Sequence, residues 1–151
     1  MQRVPVTQFM RSEPPVADPD MSLALLVSAL QANRVRSMVV VDTDRRVVGV
    51  VSETDLFLKE KGVPFSMEKV PTLLGRVIGK DEIDRPDHSR GVKVREIMTR
   101  DVVTVSLGDT LEDIAWLMLR RKVSLVPVVS DGVLAGEVRR IDVLRQIYGG
   151  D

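Results

Sequence analysis

The side chains of this sequence that could carry chemistry are mainly carboxylates, hydroxyls and cationic groups, with 22 Asp plus Glu and 22 Lys plus Arg. The 151 residues include no cysteine and a single histidine, His88, which excludes thiol chemistry and a Cys/His zinc site. We find no nucleophile with a positioned base, and no pair of carboxylates with a neighbour that would activate water. The sequence therefore predicts a binding protein and no enzyme, with no required cofactor and no metal site.

A short pattern of polar groups occurs twice. Residues 49–55 read Gly-Val-Val-Ser-Glu-Thr-Asp, and residues 136–142 read Gly-Glu-Val-Arg-Arg-Ile-Asp. The start of a helix suits a ligand with negative charge, because its first N–H groups have no partner within the helix. Taken alone, the first copy is explained better by a capping box, in which a hydroxyl and a carboxylate cap their own helix. The aspartate persists in the second copy although the hydroxyl has gone, which favours a further role for it.

An internal repeat surrounds both patterns. Val4-Pro-Val-Thr-Gln-Phe-Met10 recurs as Val92-Lys-Val-Arg-Glu-Ile-Met98, at an offset of 88 residues. We therefore divide the chain into a first repeat over 1–61, a connecting segment over 62–91 and a second repeat over 92–151. Neither repeat can cover both faces of its own sheet. We expect an α/β (α+β) fold in which two β-α-β-β-α units pack about a pseudo-twofold axis and form paired clefts.

Each repeat has the same predicted elements. The first has an extended segment at 15–17, a helix capped by Asp18 that ends at Asn33, a hairpin of strands 38–41 and 47–51, and a helix from Glu53 to about Lys61. The second has a strand at 102–105, a helix with a capping box of Ser106 and Asp109, strands 125–129 and 133–138, and a helix over 141–148. Pro127 predicts an edge strand, and a short helix is expected at 73–78 in the connecting segment.

Composition narrows the class of partner. Lys plus Arg and Asp plus Glu both number 22, so the net charge is zero and no long-range field favours nucleic acid or an anionic membrane. Aromatic residues make up 3% of the chain, too few for the stacking platforms of single-strand binders. With no signal peptide and no apolar span at its N-terminus, the protein is expected in the cytoplasm.

These features together resemble a tandem pair of cystathionine-β-synthase (CBS) domains, the arrangement called a Bateman module. The similarity covers nearly the whole chain, and its most specific part is the pattern Gly-h-h-Ser/Thr-x-x-Asp, which Gly49, Ser52 and Asp55 match in full. The resemblance implies a regulatory module whose clefts bind an adenosine ligand such as AMP, ADP, ATP or S-adenosylmethionine. The bound ligand would then report the state of the cell to a partner protein.

The resemblance also implies roles for residues of the first cleft. Asp55 would hold the ribose hydroxyls, which suits a carboxylate, and Ser52 would contact phosphate at the helix start. Arg36 would offer its planar fork to phosphate, although its spacing alone would make it an ordinary solvated charge. Adenine would lie between aliphatic side chains that could equally be core residues, namely Val50 on one side and Val102 and Val103 on the other.

The second cleft, assigned to Ser124, Val138, Arg139 and Asp142, departs from the family pattern. Arg139 stands where Ser or Thr is expected, and Ser124 stands where the first repeat has Arg36. Two outcomes are open: Arg139 clamps a phosphate chain beside Asp142, or it folds into the cleft and plugs it. The first cleft keeps the complete motif and is expected to be the tighter site.

Apolar residues on more than one helix face predict a homodimer, and they include Leu117, Leu119, Leu144 and Ile147. We expect the output to pass to a separate effector protein, whose identity is unknown, or to an oligomer of this chain. An alternative function is a protein-interaction or oligomerisation module whose clefts are filled by its own side chains and bind no small molecule.

Overall fold

The computed structural model describes residues 3–57 and 91–149. A 3₁₀ turn at Val6–Gln8 precedes the first strand. The strands are β1 (Val16–Ala17), β2 (Ser37–Val41), β3 (Val47–Ser52), β4 (Val105–Ser106), β5 (Leu125–Ser130) and β6 (Val133–Arg139). The helices are α1 (Leu23–Asn33), α2 (Glu53–Phe57), α3 (Val94–Ile97), α4 (Leu111–Arg121) and α5 (Arg140–Leu144), which a π turn extends over Arg145–Gly149.

The predicted mixed α/β fold is confirmed, with two three-stranded sheets in the orders β1-β2-β3 and β4-β5-β6. The first two strands of each sheet are parallel and keep one register: Ala17 pairs with Val40, and Val105 pairs with Val128, 88 residues further along. The expected hairpin turn of the second repeat is also confirmed. Asp131 and Gly132 have φ values of 54° and 82°, the left-handed pair that a tight two-residue hairpin requires.

The described residues fall into two compact units, which we name after the motif that each contains. The first-motif unit comprises residues 16–40, 49–57 and 91–100, and the second-motif unit comprises 3–15, 41–48 and 101–149. We call residues 3–15 and 91–100 the opening segments. Each unit thus takes its opening segment from the other sequence repeat: 3–15 lies in the second-motif unit and 91–100 in the first-motif unit. The bounds of the repeats themselves stay a prediction, and the helix expected at 73–78 and the end of the helix expected to reach Lys61 lie outside the described residues.

Opening segments are held by backbone hydrogen bonds beside each motif. In the second-motif unit, Arg11 exchanges two bonds with Glu137, at N···O distances of 2.8 and 3.0 Å. In the first-motif unit, Thr99 exchanges two bonds with Val50, at 2.9 and 3.0 Å. Because Thr99 lies 88 residues after Arg11, the two pairs are equivalent by the internal repeat.

Two predicted helix caps are wrong, and in both cases the true cap lies four residues later. Helix α1 is capped by Ser22, whose hydroxyl accepts from Leu25 N at 3.1 Å, whereas Asp18 closes a turn with Asp20 N at 2.7 Å. Helix α4 is capped by Thr110, which shares reciprocal bonds with Asp113. The predicted box of Ser106 and Asp109 forms similar bonds in the turn before this helix.

Pro127 lies in the central strand of its sheet, so the prediction of an edge strand is wrong. The missing N–H is tolerated because Pro127 faces Glu137 at a position where the backbone of Glu137 bonds to Arg11 instead of β5. On its other side, β4 runs parallel to β5, pairs only with Val128 and Val129, and so begins one residue beyond the proline. The neighbouring prediction of a strand from Val102 is also corrected, since β4 begins at Val105.

Both units have a buried apolar core. In the second-motif unit the core joins the inner faces of β5 and β6 to helices α4 and α5, and its members are Val6, Val105, Ile114, Met118, Val126, Val128, Val138 and Val143. In the first-motif unit Leu26 and Leu30 of α1 are buried, as are the β2 residues Met38 to Val40. These cores fix the strand ends from which both motifs project.

Candidate ligand-binding site

The first motif lies at the junction of β3 and α2, where Ser52 and Asp55 contact each other. Ser52 N donates to Asp55 Oδ2 at 2.9 Å, and Ser52 Oγ lies 3.3 Å from the same oxygen. The backbone at the junction is tied to the start of β2, because Glu53 N donates to the carbonyl of Arg36 at 3.0 Å. The capping interpretation is thus correct for one carboxylate oxygen of Asp55.

The other oxygen of this carboxylate, Asp55 Oδ1, has no hydrogen-bond partner among residues 3–57 and 91–149. Both Ser52 and Asp55 are half-buried. Burial raises the pKa of Asp55 above its ordinary 3.8, although two hydrogen bonds from Ser52 act in the opposite direction. The site therefore holds a partly desolvated carboxylate, one oxygen of which is not used by the residues that the structure describes.

The structure brings Val50 and Arg36 to the same unit as Ser52 and Asp55. Val50 is half-buried and sits two residues before Ser52 on β3, so both side chains point to the same face of the strand. Arg36 is exposed immediately before β2. Val102 and Val103, predicted to flank adenine, are half-buried residues of the second-motif unit.

The second motif has the same backbone frame around a different set of side chains. Arg139 N donates to Asp142 Oδ2 at 2.8 Å, as Ser52 N does to Asp55, and Arg140 N donates to the carbonyl of Ser124 at 3.0 Å. Asp142 therefore still caps its helix, because this bond uses the backbone N–H of Arg139. The persistence of the aspartate is explained by capping and does not require a ligand.

Asp142 also accepts hydrogen bonds from two guanidinium groups. Arg11 Nε lies 3.2 and 3.0 Å from Oδ1 and Oδ2, and a terminal nitrogen of Arg11 lies 3.0 Å from Oδ1. Arg145 adds a longer contact of 3.4 Å to Oδ1. The side chain of Asp142 is only 5% exposed, so its carboxylate is both buried and fully engaged.

A second ion pair lies beside the first. Arg139 Nε donates to Glu137 Oε2 at 2.6 Å, and the side chains are 13% and 0% exposed. Burial raises the pKa of Glu137 despite the contact with Arg139, and Glu137 Oε1 has no hydrogen-bond partner among the described residues. Glu137 and Arg139 lie two positions apart on β6, so their side chains project from the same face of the strand.

Sequence reasoning placed Val138 in the second cleft, but it is a fully buried member of the core. The equivalent of Val50 is Glu137, one residue earlier, because both exchange backbone bonds with an opening segment. Glu137, Arg11 and Thr99 were missed at the sequence level. The 88-residue offset between Arg11 and Thr99 was a usable signal, since these residues directly follow the repeated methionines.

Other kinds of site are not found in the part of the chain that the structure describes. Residues 3–57 and 91–149 contain no group of three or more His, Cys, Asp or Glu side chains that could hold a metal ion. No helix within those ranges combines the length and the apolar character needed to cross a membrane.

The chain belongs to the CBS domain family, which matches residues 6–61 and 94–149 and so confirms the predicted tandem pair. An uncharacterized protein of Methanocaldococcus jannaschii is 30% identical over 131 residues, or 86% of this chain. The chain spans 42% of the length of that relative.

Solved structures agree with this assignment. The CBS-pair protein CBSX2 from Arabidopsis thaliana superposes with a TM-score of 0.76 at 28% identity, covering 98% of this chain and 96% of that one. CBSX2 in complex with AMP has a TM-score of 0.73 at 28% identity and covers 97% of both chains.

Proposed function

We propose that this chain is a regulatory module that binds an adenine nucleotide at the first motif and performs no catalysis. The observation that carries the proposal is the state of Asp55, a half-buried carboxylate whose Oδ1 is unused by the described residues. A ribose presents two adjacent hydroxyl donors, and a carboxylate is the acceptor that suits them. Because one oxygen is already fixed by Ser52, the other is oriented before a ligand arrives.

The choice of an adenosine ligand is supported by the similarity to CBSX2, which has been solved with AMP bound. We extend the class to AMP, ADP, ATP and S-adenosylmethionine. In this proposal Ser52 and the exposed guanidinium of Arg36 contact phosphate, and Val50 packs on adenine. The parts assigned to Val102 and Val103 rest on the family resemblance.

The test is calorimetric titration of the whole chain with each of the four ligands, repeated on Asp55→Ala. Loss of the ribose contacts should cost ~1.5–3 kcal/mol, a tenfold to over hundredfold loss of affinity. Asp44→Ala is the matched control, because Asp44 is an exposed carboxylate in the β2–β3 turn. Equal affinity in wild type and Asp55→Ala would remove Asp55 from the site, and no binding of any ligand by wild type would end the proposal.

A homodimer is a second proposal, favoured by large apolar side chains at the surface of α4 and α5. Trp116 and Leu119 are 64% and 71% exposed, and Leu144, Ile147 and Tyr148 continue the exposure on α5 and its π extension. Ile114 and Met118 belong instead to the core. A second copy of this chain would cover the exposed residues, and Leu119→Glu should then convert a dimeric mass in light scattering to a monomeric one. A monomeric mass for wild type at micromolar concentration would contradict this assignment.

A further inference from the structure

We infer that the second motif is closed by the protein's own arginine side chains, so that the chain offers one nucleotide site instead of two. This inference rests on the proposed function, which gives the carboxylate of the first motif a ribose to bind. The equivalent carboxylate of the second motif, Asp142, is already occupied by side chains of its own unit.

Arg11 takes the place that ribose hydroxyls would need. Its guanidinium bonds both oxygens of Asp142 at 3.0 to 3.2 Å, which is a two-pronged, charge-assisted contact. A guanidinium bonds a carboxylate with charge on both partners and in a bidentate geometry, whereas a ribose hydroxyl is a neutral donor. Ribose hydroxyls would gain bonds to Asp142 only by leaving the guanidinium of Arg11 unpaired.

The phosphate side of the motif is engaged as well. Arg139 stands at the helix start in place of Ser52, and its guanidinium bonds Glu137 at 2.6 Å. Glu137 is completely buried, so moving Arg139 toward a phosphate would leave a buried carboxylate without its cation. Such a separation is costly, because an isolated buried charge loses both hydration and its partner. The geometry therefore favours a plug over a phosphate clamp.

The first motif lacks all three of these charged side chains. Thr99, Val50 and Ser52 occupy the positions of Arg11, Glu137 and Arg139, and the backbone bonds around them are the same. Besides the exchange of Arg36 for Ser124, three side chains on one shared frame thus distinguish the open motif from the closed one.

The experiment counts nucleotide sites by calorimetry on the whole chain, using AMP and ATP as probes. Wild type is compared with the triple variant Arg11→Thr, Glu137→Val and Arg139→Ser, which copies these three positions of the first motif into the second and removes the charged side chains that close it. We expect one site per chain in wild type and two in the triple variant. Asp142→Ala, added to the triple variant, should return the count to one.

Each result decides between the two proposals. A wild-type count of two overturns the plug whether or not the triple variant folds, and so does a folded triple variant that gains no site. If wild type binds nothing while the triple variant binds one nucleotide, the proposed function of the first motif fails and the plug stands. If the single wild-type site is lost in Asp142→Ala and kept in Asp55→Ala, the assignment of both motifs is reversed.

Discussion

The two motifs share one backbone arrangement and differ in what their side chains do with it. In both, an aspartate caps a short helix, the residue three positions before it donates the capping N–H, and an opening segment pairs with the strand. Around Asp142 the arginines satisfy the carboxylate within the protein, whereas around Asp55 the described residues leave one oxygen without a partner. The comparison teaches that a shared local frame does not fix the role of its aspartate: Asp142 is bonded within its own unit, whereas we propose that Asp55 binds a ligand.

The largest expected effect on stability is that of Asp142→Ala. It removes the partner of Arg11 and the cap of α5, and breaking a buried ion pair of this kind costs about 3 kcal/mol. Among the described residues, Asp55→Ala removes the bonds from Ser52 alone, so we expect a cost of about 1 kcal/mol. Denaturant unfolding without nucleotide measures both. Equal losses for the two variants would show that the ion pairs add little, and the contrast between the motifs would have to be abandoned.

The glycines of the two motifs offer a sharper comparison of the same frame. A Cβ at Gly136 would lie 2.7 Å from the carbonyl oxygen of Arg11, a backbone atom that is itself bonded to Glu137. A Cβ at Gly49 would lie 2.7 Å from Met98 Sδ, which can move, and 3.0 Å from the carbonyl oxygen of Thr99.

We therefore expect Gly136→Ala to cost about 2–3 kcal/mol and Gly49→Ala about 1 kcal/mol in the free energy of unfolding. The measurement is again denaturant unfolding, with wild type as reference. A larger loss of stability for Gly49→Ala than for Gly136→Ala would contradict this ranking. It would mean that Met98 and the backbone of Thr99 cannot shift to accommodate the added methyl group.

Much of the fold could be predicted because its signals are local. The strands of both hairpins and the end of α1 follow from β-branched runs, turn residues and helical spacing within one stretch of chain. The helix starts were harder, since Ser106-x-x-Asp109 and Thr110-x-x-Asp113 are the same type of pattern four residues apart. Both form their bonds, and only the structure shows which one begins the helix.

The candidate site was predicted less completely, because its decisive contacts are remote in sequence. Arg11 and Asp142 are 131 residues apart. No local sequence pattern predicts that Arg11, a residue of the first repeat, pairs with β6 of the second repeat. Likewise, the sequence could not distinguish a clamp from a plug at Arg139. That distinction depends on the burial of Glu137, which lies between two residues already singled out by the motif.

The smallest predicted effect concerns charge at Asp55. Burial raises the pKa of this carboxyl above 3.8, so the folded protein binds the proton more readily than the unfolded chain does. The stability that Asp55 contributes through this shift is therefore fully present below pH 3.8 and is lost as the pH rises through the raised pKa. Asp55→Asn keeps an acceptor for Ser52 and removes the charge, so without nucleotide the variant should be slightly more stable than wild type at pH 7. The gain is small because Asp55 is only half-buried and solvent screens it.

The matched control is Asp113→Asn, whose effect on stability at pH 7 should have the opposite sign. Hydrogen bonds from Thr110 lower the pKa of Asp113, so its stabilising effect is present above 3.8 and is lost as the pH falls through the lowered pKa. Asp113→Asn should therefore destabilise at pH 7, and its difference from wild type should shrink in acid, as should that of Asp55→Asn. Thermal unfolding of all three proteins across this range gives both signs in one series. If Asp55→Asn instead lowers stability at pH 7, the carboxylate of Asp55 is held by the protein as firmly as that of Asp142, and the first motif is not open for a ribose.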